Sequence, residues 1–405
     1  MKLKDLNSID ISGKTILYRA PYDIGTKEKN GEYVLSDIMR MEVTIPTLKY
    51  LIEKDCKIVV LTYVKRPNGQ VVESLRTTPH AKKLAELLGR PVEKVNDCIG
   101  EVVLEKIKNM KGGDILMLEN VRFHPEEMVD DDEFSKKLCE GKDLIVFDGF
   151  PQAHRKHSST TGIERHLPSV AGLYLEQEIT MLSNLLENPP RPFTVIIGGA
   201  KISDKVDAIN NLLNTADTIL VGGGVANVFL KAEGRELGSS FTEDVFVDKA
   251  KKEKKDWVIY AKEIRERAES MGKKIVSPID VIISDGVSIR NIDITKETVP
   301  QNFMVLDIGS ETQKIFGKII EQSKTVFLNG PMGKFEDPNF LKGSQAILSA
   351  IQKVQGETIV AGGDTINLAR SNGGLDKYSH ISLAGGATLE FLSGKELPAI
   401  TLLLA

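Results

Sequence analysis

Residues 167–192 read LPSVAGLYLEQEITMLSNLLENPPRP and break the chain's pattern in two. From Leu173 to Glu187 apolar residues recur at helical spacing. The run then meets Asn188-Pro189-Pro190-Arg191-Pro192, where proline rings cannot continue a helix. A helix ending on a proline-rich stop near the middle of 405 residues predicts a connector between two domains. Short runs rich in Val, Ile and Leu lie on both sides of it. Before it come Thr15–Tyr18, Ile58–Thr62, Ile115–Leu118 and Leu144–Phe147; after it come Thr194–Ile197, Thr218–Val221, Lys274–Ser277, Met304–Leu306, Thr325–Leu328 and Thr358–Ala361. Such near-continuous apolar runs suit strands buried on both faces of a parallel sheet. Amphipathic stretches of helical length separate them, among them Met41–Glu53, His80–Leu88 and Asp204–Leu213. Strand alternating with helix predicts an α/β protein with parallel sheets. A single eight-unit barrel would occupy about 250 residues without a central break, so two domains joined by a hinge helix are expected. The boundaries expected are 1–170 for the first domain, 171–190 for the hinge helix and 191–390 for the second domain.

Lys and Arg number 53 against 57 Asp and Glu, a net charge of −4. This balance gives no reason to expect nucleic acid or an anionic membrane as partner, so any anion site must come from local clustering. The N-terminal MKLKDLNSIDISGK lacks the apolar core of a secretory signal. No run of about 18 apolar residues is present to span a bilayer. Cys56, Cys98 and Cys139 are odd in number and widely spaced, which argues against a disulfide framework or a zinc site. A reducing, cytoplasmic setting is expected.

In parallel α/β sheets ligands bind beyond the carboxyl ends of the strands. In the first half those ends carry arginines. Thr15–Tyr18 is followed by Arg19, IVVLTYV by Lys65 and Arg66, ILMLEN by Arg122 and His124, and LIVFDGFPQ by His154, Arg155, Lys156 and His157; Arg40 precedes the first helix. A single arginine is ordinarily a surface residue. One at every strand end is a pattern, and the guanidinium's planar, bidentate geometry suits carboxylate and phosphate. A small metabolite bearing both groups is the expected ligand. The histidines fit a supporting role better than an acid–base one.

In the second half the strand ends collect glycines instead: GGAKISDK (Gly198–Lys205), VGGG (Val221–Gly224), NGPMGKFE (Asn329–Glu336), AGGDT (Ala361–Thr365) and AGGA (Ala384–Ala387). One glycine pair after a strand is usually a tight turn, but five such loops in one domain point to a nucleotide whose phosphates approach backbone N–H groups and helix N-termini. No G-x-x-x-x-G-K-S/T occurs, which excludes a P-loop. No G-x-G-x-x-G with an acidic residue at dinucleotide spacing occurs either. Asp364, between Gly363 and Thr365, is the candidate for reaching a Mg²⁺ on those phosphates. Lys201 and Lys205, four apart at a helix start, are expected on one face toward the phosphates.

Taken together, IPTLKYLIEK, LMLENVRFH, AHRKHSSTTGI, LPSVAG, NPPRPF, GGAKISDK, VGGGVANVFL, LDIGSET, NGPMGKFE, GGDT and ISLAGGATLEFLSGKELP resemble segments of the phosphoglycerate kinase family, in that family's order and over nearly the whole chain. The resemblance implies two Rossmann-like domains, the first for 3-phosphoglycerate or 1,3-bisphosphoglycerate and the second for ATP or ADP with Mg²⁺. It implies that residues 391–405 return to the first domain. It implies a kinase of glycolysis and gluconeogenesis that needs small-molecule substrates, no nucleic acid and no membrane, as a monomer or weak homodimer. Matched by motif, Arg19, Arg40, Arg66, Arg122 and Arg155 correspond to the family's basic patch, with His154 beside it. Arg40 and Lys201 are the implied catalytic pair on the phosphoryl group in transit. Gly199, Lys201, Lys205, Gly223, Asn329, Pro331, Glu336, Gly362, Gly363, Asp364 and Thr365 correspond to the nucleotide pocket, Glu336 near the ribose and Asp364 near the metal.

Departures from the family pattern concentrate in the first half. Where the family reads Val-Asp-Phe-Asn after Arg19, this chain reads Ala20-Pro21-Tyr22-Asp23, so a carboxylate gives way to Pro21. His-Leu-Gly-Arg becomes Tyr63-Val64-Lys65-Arg66, which loses an imidazole and offers Lys65 as a replacement charge. Pro21, Tyr22, Asp23, Tyr63 and Lys65 thus join the expected substrate contacts. In the last glycine loop Ser-Thr-Gly-Gly-Gly becomes Ser382-Leu383-Ala384-Gly385-Gly386, and Lys334 stands where an aliphatic residue is usual. Two alternatives follow from these changes: a relative acting on another acyl phosphate, or a catalytically silent nucleotide- or polyanion-binding module.

Overall fold

The computed structural model describes residues 1–248 and 253–405. The chain divides into two compact units, Met1–Met181 with Glu396–Ala405, and Leu182–Lys395.

The first unit is built on strands β1 (Thr15–Arg19), β2 (Lys57–Leu61), β3 (Glu93–Lys94), β4 (Ile115–Met117), β5 (Leu144–Phe147) and β6 (Ser169–Ala171). They form a parallel sheet in the order β3-β4-β2-β1-β5-β6. Alternate residues serve the two faces. Ile16, Tyr18, Ile58, Val60, Met117 and Val146 join one core cluster with Leu48 and Leu51 of the helix Ile45–Glu53 and Leu84 of the helix Thr78–Leu88. Their neighbours Leu17, Val59, Ile145 and Phe147 are equally buried on the other face. Each such side chain contributes about 1.5–3 kcal/mol on leaving water. That double burial is why the strands read as unbroken apolar runs. The edge strands β3 and β6 are two and three residues long and escaped notice in the sequence for that reason.

The second unit repeats the plan with β7 (Phe193–Ile197), β8 (Thr218–Val221), β9 (Lys274–Val276), β10 (Thr325–Asn329), β11 (Glu357–Ala361) and β12 (His380–Ser382), again parallel, in the order β9-β8-β7-β10-β11-β12. One expected strand of this sheet lies elsewhere. Met304–Ile308 pairs antiparallel with Asp280–Ser284, which also pairs with Ile289–Asp293. This small sheet has its own core of Val281, Ile283, Ile292, Val299 and Phe303. An apolar run reports burial, and here the burial belongs to a separate cluster.

The helix Leu173–Glu187 carries the chain from one unit into the other. Its first turn is held to the sheet by Asp148, which follows β5 and accepts from Leu175 N (2.9 Å) and from the Tyr18 hydroxyl (2.8 Å). The segment expected as one helix over Met41–Glu53 is two, Met39–Glu42 and Ile45–Glu53, the second with Pro46 in its first turn. At the other terminus Leu403 O accepts from Lys4 N (2.8 Å), and Ala399 N donates to Ala153 O (3.2 Å). These bonds fasten the C-terminal segment within the first unit.

Both sheets have a topological switch point where successive connections leave in opposite directions. In the first unit it lies between β1 and β5, beneath Arg19. In the second it lies between β7 and β10, beneath the Gly198 and Gly330 loops.

Candidate active site

Around the first switch point Arg40, Lys65 and Arg122 are linked by hydrogen bonds through Asp23, and Arg19 and Arg155 bond separately. Arg19, at the end of β1, is fully buried, with Nε donating to Ser159 O (2.7 Å) and Nη1 to Ala20 O. Arg122 is 2 % exposed, and its Nη1 donates to Lys65 O (2.7 Å). Lys65 N donates to Asp23 Oδ1 (2.8 Å), and Arg40 Nη1 donates to Asp23 O (2.9 Å). Asn120, buried below, accepts from Val64 N (3.0 Å) and Arg122 N (3.2 Å) and donates to Val64 O (2.9 Å), fixing the loops that follow β2 and β4 against each other. Arg155 Nε donates to His154 Nε2 (3.1 Å). Arg66 is exposed beside Lys65.

Tyr63 lies against two of these guanidiniums. It is buried, and its ring face lies 3.4 Å from the Arg122 guanidinium carbon and 5.4 Å from that of Arg19. Two cations thus share one aromatic spacer. Tyr22 is fully buried, with its hydroxyl 2.6 Å from Thr44 Oγ1. Pro21 is buried as well, so both support the loop from beneath.

One further contributor carried no sequence signal. Glu127 sits in an acidic run that reads as surface, yet it is fully buried and accepts from Ser159 N (2.8 Å) and Ser159 Oγ (2.7 Å). Burial holds its pKa above the usual carboxylate value, with those bonds and Arg19 and Arg122 pulling the other way. It is the counter-charge beneath the arginines. His154 and His157 are pushed down to about 4 by burial and by the neighbouring guanidiniums. They are neutral near pH 7, so the patch's positive charge resides on Arg and Lys. Among the described residues, Arg19 Nη2 and Arg122 Nε and Nη2 are buried without an acceptor. Buried donors are ordinarily satisfied; three orphans on two guanidiniums are donors that an anionic oxygen could complete.

In the second unit two adjoining hollows share Gly199, Ala200, Pro331 and Asp364. One, of about 330 Å³, is walled by Leu230, Val281, Val305, Leu306 and Met332, with Gly223 and Glu336 on its lining. The other, of about 320 Å³, is polar and is lined by Lys201, Lys205, Asn329, Gly362, Gly363 and Thr365. An apolar slot opening into a lysine-bearing trough matches a base and sugar followed by phosphates. Every nucleotide residue expected from the sequence lines one of the two.

Lys205 Nζ donates to Asn329 Oδ1, whose Nδ2 donates to Ala361 O (3.1 Å), and Gly330 N donates to Thr365 Oγ1 (2.8 Å). Burial pushes the Lys205 ammonium down to about 8, against the opposing pull of Asp204 and Asp364. Lys201 and Lys205 are not on one helical face as expected. The helix begins only at Val206, Lys205 is its cap residue, and Lys201 stands exposed in the preceding turn. Asp364 is exposed in the first turn of the helix Gly363–Ser371 and offers the hard oxygen a divalent cation requires.

Many of the glycines serve the loops themselves. A β-carbon on Gly198 would stand 2.1 Å from Pro331 O, and one on Gly224 would stand 2.2 Å from Ala200 O. Gly199 N donates to Pro331 O (2.7 Å) and Gly223 N to Met332 O (2.9 Å), so three loops stack backbone on backbone. Ala384 does not obstruct the last loop. It and Leu383 are buried, while Gly385 and Gly386 have open space where a side chain would go.

A family model described as phosphoglycerate kinase matches residues 6–395. The chain belongs to the phosphoglycerate kinase family. It is 39 % identical to a phosphoglycerate kinase of Pelotomaculum thermopropionicum over 406 aligned positions, covering all of both chains. It is 42 % identical to one of Dictyoglomus turgidum, covering 98 % of each. Solved phosphoglycerate kinase structures from Coxiella burnetii (TM-score 0.85, 32 % identity) and Pyrococcus horikoshii (TM-score 0.83, 31 % identity) each cover 99 % of this chain and 98 % of their own. In this phosphoglycerate kinase chain Pro21 and Tyr63 are buried beside the arginines of the first unit.

Proposed function

We propose that the chain catalyses reversible phosphoryl transfer between 1,3-bisphosphoglycerate and ADP, giving 3-phosphoglycerate and ATP, as a step of glycolysis and gluconeogenesis. The observation that carries this reading is the set of buried guanidinium donors on Arg19 and Arg122 that find no acceptor among the described residues. They sit in a different unit from the apolar slot and lysine trough. Arg19, Arg66, Arg122 and Arg155 anchor the phosphoglycerate, aided by Asp23 and Lys65. Lys205, Asn329, Thr365 and the Gly362–Gly363 turn hold the nucleotide phosphates, and Glu336 takes the ribose. Asp364 would hold Mg²⁺, whose charge would offset that of the nucleotide phosphates.

Both nucleophiles, a carboxylate in one direction and a nucleotide phosphate in the other, are already anionic. No general base is needed, which fits histidines held neutral by burial. Catalysis reduces to alignment and charge stabilisation, for which Arg40 and Lys201 are the cationic pair on the group in transit. The helix Leu173–Glu187 is the proposed hinge. A cytoplasmic monomer or weak dimer, with no nucleic-acid partner, fits the near-neutral charge and the absence, among the described residues, of any helix long and apolar enough to cross a membrane.

Pro21, which offers no polar side chain at a substrate-facing loop, favours one second reading, a related acyl phosphate as substrate. The open Gly385–Gly386 backbone speaks against a retired nucleotide site. The test is ADP formation from MgATP and 3-phosphoglycerate in a coupled optical assay, with other carboxylic acids in parallel. Turnover of about 10 s⁻¹ or more on 3-phosphoglycerate is the expected result. Turnover confined to another acid would transfer the assignment to it, and none on any acid would leave only nucleotide binding.

A further inference from the structure

Lys65 occupies the left-handed backbone region, with φ of 55°. The phosphoglycerate kinase pattern has glycine at this place, and only glycine adopts that conformation without a steric penalty. Neighbours on both sides hold the lysine in it: Lys65 N donates to Asp23 Oδ1 (2.8 Å), and Lys65 O accepts from Arg122 Nη1 (2.7 Å). A non-glycine residue kept in a disfavoured conformation by an over-determined loop is a mark of a functional position. Its side chain crosses Gly25. A β-carbon there would lie 3.0 Å from Lys65 Cε and 3.7 Å from its Nζ. The ammonium therefore lies beside the Asp23–Gly25 turn, whose Asp23 carbonyl also receives Arg40. Two residues earlier, the imidazole of the family pattern is replaced by Tyr63, whose ring is buried against two guanidiniums.

We propose that Lys65 is a substrate-binding residue particular to this chain. Its ammonium takes an anionic oxygen of the bound phosphoglycerate and adds an exposed cation two residues after the buried ring of Tyr63. This rests on the reading of the first unit as the phosphoglycerate site. It accounts together for the lysine in a glycine conformation and for the glycine at 25, which its stem crosses.

Three variants separate charge from backbone strain. Lys65→Met removes the charge and keeps the stem, Lys65→Gly removes charge and strain, and Lys65→Arg keeps the charge. Loss of a charge-assisted hydrogen bond should raise the KM for 3-phosphoglycerate about tenfold in the Met and Gly variants. The KM for MgATP should stay unchanged, and the Arg variant should recover most of the affinity. The Gly variant should melt above the Met variant, because relief of strain is independent of charge. A Met variant with the wild-type KM overturns the proposal. So does a parallel rise in both KM values with loss of stability, which would make Lys65 a loop scaffold. If the unaltered protein turns over 3-phosphoglycerate and the Met variant matches it, only the Lys65 assignment falls. If the unaltered protein does not turn it over, the reading of the whole site falls and this inference falls with it.

Discussion

Tyr63 places an aromatic face under two guanidiniums, and at that spacing the ring, not the hydroxyl, holds the charges apart. Tyr63→Phe should therefore leave the KM for 3-phosphoglycerate within about twofold. Tyr63→Leu should raise it several-fold, since about 0.5–2 kcal/mol of cation–π attraction is lost; equal kinetics for the two variants would refute the spacer role. Histidines supply a second residue-scale test. Burial pushes His80 down to about 4, and its Nε2 lies 3.1 Å from Ile24 O. The unfolded chain binds this proton near pH 6.5, so His80 withdraws stability as pH falls from about 6.5 towards 4. His80→Gln keeps a donor for Ile24 and cannot titrate. Urea unfolding should show the variant gaining on the wild type by about 1.4 kcal/mol per pH unit across that window. Parallel curves would mean that His80 titrates as in water. At this scale the arginines at the strand ends were legible, because a guanidinium after an apolar run is an unusual pairing. Glu127 was not: nothing local distinguishes a buried counter-charge from a solvated acid.

The glycine loops of the second unit are one packed element, not separate turns. Gly224→Ala would drive a methyl group to within 2.2 Å of Ala200 O, and a backbone carbonyl cannot step aside as a side chain can. The expected outcome is a loss of about 1–3 kcal/mol from overpacking, read by thermal unfolding, with weaker MgADP binding by calorimetry. Gly363→Ala is the control. No atom lies within 4 Å of the added carbon, and alanine in a helix should hold or raise stability by about 0.5–1 kcal/mol. A Gly224→Ala protein as stable as the control would disprove the stacking. The sequence showed that glycines gather at these strand ends. It did not show that several of them face each other instead of a ligand, because contacts between loops far apart in sequence appear only when the sheet brings the loops together.

Across the whole molecule the two half-sites lie on separately packed units, so their binding energies should separate. Arg40→Ala should lower kcat by roughly 10²–10³-fold, the scale of losing one charge-stabilising donor. The Kd for MgADP should stay within about twofold. A change in Kd as large as that in kcat would place Arg40 in nucleotide binding. The apolar runs, the helical spacings and the proline stop at Asn188–Pro192 determined an α/β chain in two parts, because burial on two sheet faces and the geometry of proline are written locally. The family motifs nominated the candidate site residues for the same reason. Tertiary structure alone decided that Met304–Ile308 leaves the main sheet, that Lys201 and Lys205 both precede the helix start, that Tyr63 turns its face to two arginines, and that Glu127 lies beneath them. Each of these depends on which distant segments share a low-dielectric interior, and residue order does not encode that until the chain has packed.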